Sequence, residues 1–328
     1  MVMNVLAPVE TKSLVLGGLE LQLPTMIVHA GERASKRFVE FFTATIRNKN
    51  TREAYGRAVR DFFEWCNHNQ IGPLIDIEAV HIAAYIEQMT QNKAPQTVKQ
   101  HLAAIRALFD FLVTGGALPA NPASAVRGPK YSQTRGKTPV LFAEDARALL
   151  RSIPTDNLPG LRDRAIIGVM TYAFARVSAA MGMDVKDVFP MHHRLWLRLH
   201  EKGGKYHEIP CHHNLELYLR EYMNTAGLQD GALFRTFRGR SGELTENRLH
   251  RSNCLAMIKR RCKQAGLQTP GLCNHTFRGT GITAYLANPD ARLELAQQMA
   301  AHSDPKTTRM YDRRGDEISL DEVEKIGI

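Results

Sequence analysis

Six side chains in the second half of the chain are of the types that rearrange a phosphodiester. Arg176 lies in ARVSAAMGMDVKD, Lys202 in EKGGKYHEIP, His275 and Arg278 in NHTFRGTGIT, and His302 and Tyr311 in AAHSDPKTTRMYDRR. A phosphodiester under attack gains negative charge on its non-bridging oxygens, and planar bidentate guanidinium groups suit those oxygens. A tyrosine oxygen can attack in line and leave a covalent phosphotyrosine. The departing sugar oxygen needs a proton, which a lysine on a loop can donate, and histidines can accept the tyrosine proton or hold the phosphate. Two arginines, one lysine, two histidines and one tyrosine therefore make a complete, metal-free set for cutting and resealing a nucleic-acid strand. Taken singly, each also has a plainer reading: a helix-end arginine, turn lysines at 202 and 205, a capping histidine, a tail aromatic.

The elements that must position these groups follow from periodicity. His275 and Arg278, three apart, share a face if their segment is a helix. RLWLRLHEKGGKYHEIP reads as a strand, a Gly203-Gly204 turn and a second strand, with Lys202 and Lys205 both on the turn. Helices are expected at AEDARALLRSI, LRDRAIIGVMTYAFA, 245–265 and about 280–301. Upstream, residues 33–126 read as a small helical domain. Tyr55, Val59, Phe62 and Phe63 share one face, with Asn50 or Thr51 as N-cap, and Val98, Leu102, Ile105, Leu108, Phe109 and Leu112 form a second stripe ended by Gly115-Gly116. Residues 127–139, RGPKYSQTRGKTP, carry basic but no acidic side chains and read as a linker.

Composition agrees with a polyanionic partner. Forty-three Lys and Arg against 33 Asp and Glu leave a net charge of +10 on 328 residues. No run approaches the roughly 18–20 apolar residues of a membrane span, and the N-terminus lacks the pattern of a secretory signal. Five irregularly spaced cysteines suggest reduced thiols in a cytoplasm. His192-His193 and Cys211, His212 and His213 lack metal-ligand spacing, and no glycine-rich phosphate loop is present, so neither a metal nor another cofactor is expected.

In this order and at these spacings the motifs closely resemble the tyrosine recombinase (phage integrase) family. NHTFRGTGIT resembles its His-x-x-Arg box, AAHSDPKTTRMYDRR its final histidine and nucleophile segment, ARVSAAMGMDVKD the segment of the first arginine, and EKGGKYHEIP the lysine hairpin. NTREAYGRAVRDFFEW and TVKQHLAAIRALFDFLVTGGALPANPASAV resemble the N-terminal core-binding domain of Xer-like and integron-like members, so the likeness runs over about residues 35–315. The resemblance implies a mainly α fold with a small β-sheet: a helical core-binding domain over 33–126, the linker, and an α+β catalytic domain over 140–315, closing on DNA as a C-shaped clamp. Residues 1–32 would be an extension, and 316–328 a tail whose Ile318, Leu320, Val323 and Ile326 dock on a neighbouring protomer or on their own domain.

By the same resemblance Arg176 and Arg278 would clamp the scissile phosphate, Tyr311 would attack it, and Lys202 would protonate the leaving 5′ oxygen, Lys205 being the alternative on that turn. His275 would be general base and acid, and His302 a phosphate-side donor. Lys49, Arg52, Arg57, Lys99, Arg106, Arg127, Lys130, Arg135, Lys137 and Lys205 are the candidate DNA contacts. The implied partners are double-stranded DNA carrying recombination sites and further copies of the chain in a tetrameric synapse, in the cytoplasm at the nucleoid. Three positions depart from the family pattern: Ala179 where an acidic residue usually orients the first arginine, Gly279 where histidine is common, and Ala301 where glycine is common. Asp187 matches a second acidic position. A type IB topoisomerase would share the chemistry, though it usually has Lys or Arg at the position of His275; a non-catalytic DNA-binding relative is the other alternative.

Overall fold

The computed structural model describes residues 13–16, 19–131, 136, 138–201, 205–239, 241–313 and 323–326, with side chains from Leu23 onward except that of Lys205. The chain forms two compact units, residues 1–132 and 133–328.

In the first unit, β1 (Ser13–Leu16) and β2 (Leu19–Gln22) pair antiparallel and lead into α1 (Thr25–His29) and α2 (Glu32–Glu40), which continues as a π turn over Phe41–Thr45. α3 (Lys49–His68), α4 (Ala79–Asn92) and α5 (Pro95–Thr114) complete it. α3 buries Ala58, Val59, Phe62, Phe63 and Cys66, a single stripe at helical spacing. Its N-cap is Asn48 rather than Asn50 or Thr51: the Asn48 side chain accepts from the Thr51 amide at 3.1 Å, and the two residues expected as caps lie in the first turn. Every residue of the expected α5 stripe is buried, and the core also takes in Leu23, Met26 and Ile27, ahead of the boundary expected at residue 33.

The second unit begins with α6 (Ala143–Ser152), α7 (Leu158–Tyr172) and α8 (Val177–Gly182). A three-stranded antiparallel sheet follows, β3 (Val188–Met191), β4 (Arg194–Glu201) and β5 (Lys205–Pro210), then α9 (His213–Thr225). β6 (Arg235–Phe237) and β7 (Leu244–Arg248) form a second small sheet before α10 (Arg251–Gln264), α11 (Asn274–Leu286), α12 (Leu293–Met299) and α13 (Pro305–Arg309).

Two helices expected from the sequence divide. Residues 245–248 are strand, not helix, because Thr245 pairs across to Thr236 (Oγ1 to Oγ1, 2.6 Å) and the helix starts only after His250, whose Nδ1 accepts from the Ser252 amide. The segment expected as one helix near 280–301 is α11 and α12. Pro289 disfavours helical backbone at Asn288 and cannot itself donate to a helix, so the chain turns there.

α7 is the axis of this unit. Leu161, Ala165, Ile166, Ile167, Val169 and Met170 are buried on all its sides, packed by α6, α9, α10 and α11. One carboxylate fastens it: Asp163, fully buried, accepts from Arg162 (2.9 Å), Arg260 (3.0 Å) and Arg261 (3.0 Å), the last two on α10. Removing one member of such a buried ionic set typically costs about 3–5 kcal/mol, because the remaining charges stay desolvated. α11 lies directly on α7 at Gly281, where a Cβ would fall 1.9 Å from the Thr171 carbonyl oxygen. That approach sets the depth of the helix carrying His275 and Arg278.

Candidate active site

α11 is the base of the site. Its N-cap, Cys273, donates its backbone N–H to Thr276 Oγ1 at 3.2 Å. His275 in the first turn and Arg278 one turn on project from the same face, as their spacing requires. Arg278 is fully buried. Its Nη1 donates to the Phe174 carbonyl and its Nη2 to the Ala300 carbonyl at 2.6 Å, while Nε has no protein partner.

The two carbonyls that hold Arg278 lie at strained points of the backbone. Phe174 has φ +50, and Ala301, directly after Ala300, has φ +46. Left-handed backbone is uncommon for residues other than glycine and concentrates at functional sites. It accounts for the family's preference for glycine at position 301. Burial and the neighbouring Arg176 lower the Arg278 pKa to about 10, opposed by Glu201 and Tyr311, so the group stays charged at neutral pH.

Tyr311 follows α13 and is buried in a small apolar cluster with Phe174, Ile282, Leu286, Ala296 and Ala300. Its amide donates to the Thr308 carbonyl at 3.0 Å, and Thr283 Oγ1 of α11 donates to its carbonyl at 3.2 Å. The ring lies over Gly279: a Cβ there would come within 3.2 Å of Tyr311 Cε1 and 3.0 Å of Val140 Cγ1. Histidine at 279 would compete for that space, which gives the departure at this position a steric reason.

The Tyr311 hydroxyl is 2.8 Å from His275 Nε2. Burial raises the phenol pKa, against the lowering effect of Arg278 and Arg176. Burial, then Arg278 and Arg176, lowers that of His275 to about 4. A protonated phenol thus faces a neutral imidazole; with the ring proton on Nδ1, Nε2 accepts from the hydroxyl and is placed to take its proton.

His302 is also buried and stacks parallel to the Tyr311 ring, centroids 6.0 Å apart. Its Nδ1 is 2.9 Å from the fully buried Thr308 Oγ1, and burial and the same two arginines lower its pKa to about 3. Thr308 therefore does more than shape the turn before Tyr311: it fixes the ring of His302.

Arg176 stands at the N-cap position of α8 with about a third of its side chain exposed. Its Nη1 donates to Glu201 Oε2, at the end of β4. Asp187 is not its partner: one Asp187 carboxylate oxygen accepts from the Asp184 amide and the other is 3.2 Å from His200 Nε2. Ala179 is buried in the main core. Lys202 lies outside the described residues, as does the Lys205 side chain; the Lys205 backbone pairs with Glu201 across β4 and β5.

The structure thus brings together Arg176, His275, Arg278, His302 and Tyr311. It adds Glu201 and Thr283, which motif reading passed over, and gives Thr308, expected only to shape the turn that presents Tyr311, a contact with His302. Of the two missed residues, only the acidic one beside the hairpin lysine offered a signal. Among the candidate DNA contacts, Lys49, Arg57, Lys99, Arg127 and Lys130 are exposed. Arg52 and Arg106 spend guanidinium donors inside the first unit, Arg52 on the Ile46 carbonyl and Arg106 on those of Ala123 and Val126. Arg135 and Lys137 lie outside the described residues.

Comparison with known proteins gives the same picture. Residues 139–317 match the phage integrase family, and residues 36–116 match the phage integrase N-terminal SAM-like domain. The chain is similar to tyrosine recombinase XerC of Myxococcus xanthus, 29% identical over 239 residues that span 70% of this chain and 75% of that one. It is 26% identical to tyrosine recombinase XerD of Corynebacterium glutamicum over 273 residues, 80% of this chain and 86% of that one. Its fold is similar to XerH site-specific recombinase bound to palindromic difH substrate in a post-cleavage complex, with TM-score 0.69, 17% identity and coverage of 92% and 96%. A lambda integrase tetramer bound to a Holliday junction gives TM-score 0.66 at 17% identity, covering 87% of this chain and 79% of that one. No described helix is long and apolar enough to cross a membrane. Because one family model accounts for more than half of its residues, the chain belongs to the phage integrase family, the tyrosine recombinases, enzymes that cleave and rejoin DNA.

Proposed function

We propose that this chain is a site-specific DNA recombinase with Tyr311 as its nucleophile. The observation that carries the assignment is the 2.8 Å contact between the Tyr311 hydroxyl and His275 Nε2, within a site holding two charged guanidinium groups. Tyr311 Oη attacks the scissile phosphorus as its proton passes to His275, and the bond from phosphorus to the 5′ oxygen breaks. Lys202, or Lys205 on the same turn, returns a proton to that oxygen, leaving a 3′-phosphotyrosyl enzyme and a free 5′ hydroxyl. Arg176 and the unpartnered Nε of Arg278 take the non-bridging oxygens, and His302 supports the phosphate beside them. Attack by a 5′ hydroxyl from the second duplex reverses the step, so bond energy is conserved without ATP and strands exchange through a Holliday junction.

The partners are double-stranded DNA with recombination sites and further copies of the chain in a tetrameric synapse. Residues 33–126 serve as the core-binding domain, 140–315 as the catalytic domain, and 127–139 as a basic linker along the phosphates. Lys49, Arg57, Lys99, Arg127 and Lys130 contribute phosphate contacts, so affinity falls as salt rises. Residues 316–328 dock on a neighbouring protomer; Val323 and Ile326 are exposed, and Ile318 and Leu320 lie outside the described residues. The enzyme works in the cytoplasm at the nucleoid.

A nicked duplex carrying the DNA that flanks its own gene tests this reading. Wild type accumulates a covalent adduct on a denaturing gel, and Tyr311→Phe binds the duplex without forming one. Wild type and Tyr311→Phe both binding with no adduct defeats the assignment. Adduct with efficient supercoil relaxation and no recombination makes the chain a topoisomerase.

A further inference from the structure

The acidic residue expected three positions after Arg176 is absent. Position 179 is an alanine at 1% exposure, packed among the residues of the main core. The other acid expected nearby, Asp187, is engaged by the Asp184 amide and His200. An arginine meant to meet a phosphate but lacking an anionic neighbour would be free to turn among rotamers, and it would face Arg278 without compensation.

The chain supplies that anion from a different element. Glu201 closes β4, and its carboxylate side chain, 6% exposed, accepts from Arg176 Nη1. Its charge is also felt at Arg278 and at His207 of β5, raising the pKa of each against their burial. We propose that Glu201 is the positioning residue of Arg176, holding its guanidinium toward the scissile phosphate in place of the missing acid at position 179. Glu201 is the residue directly before Lys202, so one strand end fixes the first arginine and leads straight into the turn that bears the leaving-group acid. A monodentate pair leaves the other donors of Arg176 for phosphate oxygens.

This role rests on the phosphoryl-transfer reading, and its test separates the two. Single-turnover adduct formation on the nicked duplex is measured for wild type, Glu201→Gln and Glu201→Asp. Glu201→Gln slows the covalent step about 10- to 100-fold, the range of one charged hydrogen bond lost, while duplex affinity and melting temperature stay close to wild type. Glu201→Asp, which keeps the charge, loses less than Glu201→Gln. A Glu201→Gln rate within about threefold of wild type, or equal losses in Gln and Asp, overturns the proposal.

Nitrogen-15 spectra of the arginine side chains read the ion pair independently of cleavage, with the Arg176 signal identified by its loss in Arg176→Lys. Slow guanidinium rotation in wild type that becomes fast in Glu201→Gln supports the role; identical rotation in both overturns it. If wild type forms no adduct, the nucleophile assignment fails, and this second measurement still decides whether Glu201 holds Arg176.

Discussion

The two arginines of the site carry the same charge but are held in opposite ways. Arg278 is fully buried and bonded to two backbone carbonyls, one of a left-handed residue, Phe174, and one just before another, Ala301. Arg176 is partly exposed, stands before a short helix, and is held by the carboxylate of Glu201. Arg278 is part of the fold and cannot move without disturbing α7, α11 and the turn before His302. Arg176 is adjustable, and its orientation depends on a side chain at a strand end. Under the proposed function, a site that grips a phosphate and later releases it would combine one fixed contact with one that can shift.

The largest expected effect breaks the fixed side. Arg278→Ala leaves the Phe174 and Ala300 carbonyls unpaired in the interior and should lower stability by about 2–4 kcal/mol, besides abolishing the covalent adduct. The double variant Arg176→Ala/Glu201→Gln removes the adjustable pair without leaving a buried charge. It should also abolish the adduct while staying within about 1 kcal/mol of wild-type stability. Chemical denaturation and the gel assay together read both; similar stability losses in the two variants would erase the distinction.

A pH titration of folding probes the half-buried His275 and the buried His302 on the fixed side. The folded pKa values of His275, about 4, and His302, about 3, lie below their ordinary value of 6.5. Between those limits the unfolded chain binds protons that the fold excludes, so stability falls as pH drops below about 6.5. The slope reaches at most about 1.4 kcal/mol per pH unit for each ring. Above pH 7 neither ring contributes a slope. Thermal melting of wild type against His275→Gln/His302→Gln from pH 7 to 5 should show the steeper fall in wild type.

The smallest effect relaxes the strain beside the fixed arginine. Ala301→Gly relieves a left-handed alanine and should change stability by about 0.5–1 kcal/mol in the favourable direction, with adduct formation unchanged. Denaturant midpoints resolve a shift of that size; a loss of stability would show that the Ala301 side chain contributes packing that outweighs its backbone strain.

The fixed side was also the legible one. His275 and Arg278 sit one helical turn apart, and His302 and Tyr311 bracket a short helix, so local spacing carries their placement. Arg176 and the hairpin were legible as motifs, but the partner of Arg176 was not. Glu201 reaches it from 25 positions along the chain, a separation that no periodicity encodes. Asp187 offered a nearer acid, yet β4 brings His200 to it instead. The same limit explains the misplaced helix over 245–248, where a cross-strand threonine pair prevails over local pattern, and the cap at Asn48, where Asn48, Asn50 and Thr51 could each begin a helix. Composition and stripes carried the first unit's helices, because a buried face repeats along the chain.

The segment entering the second unit has a mechanical consequence. Gly136 donates its amide to the carbonyl of Met310 at 3.4 Å, and the Leu141 amide is held by Thr280 Oγ1 at 2.9 Å. The longer bond is the weaker one, and it lies one residue from Tyr311. Tension drawn along the chain from the N-terminal side would therefore open the Met310 contact first, while Leu141 stays anchored on α11. The segment is thus tied at two points, the weaker beside Tyr311 and the stronger on the helix that holds His275 and Arg278.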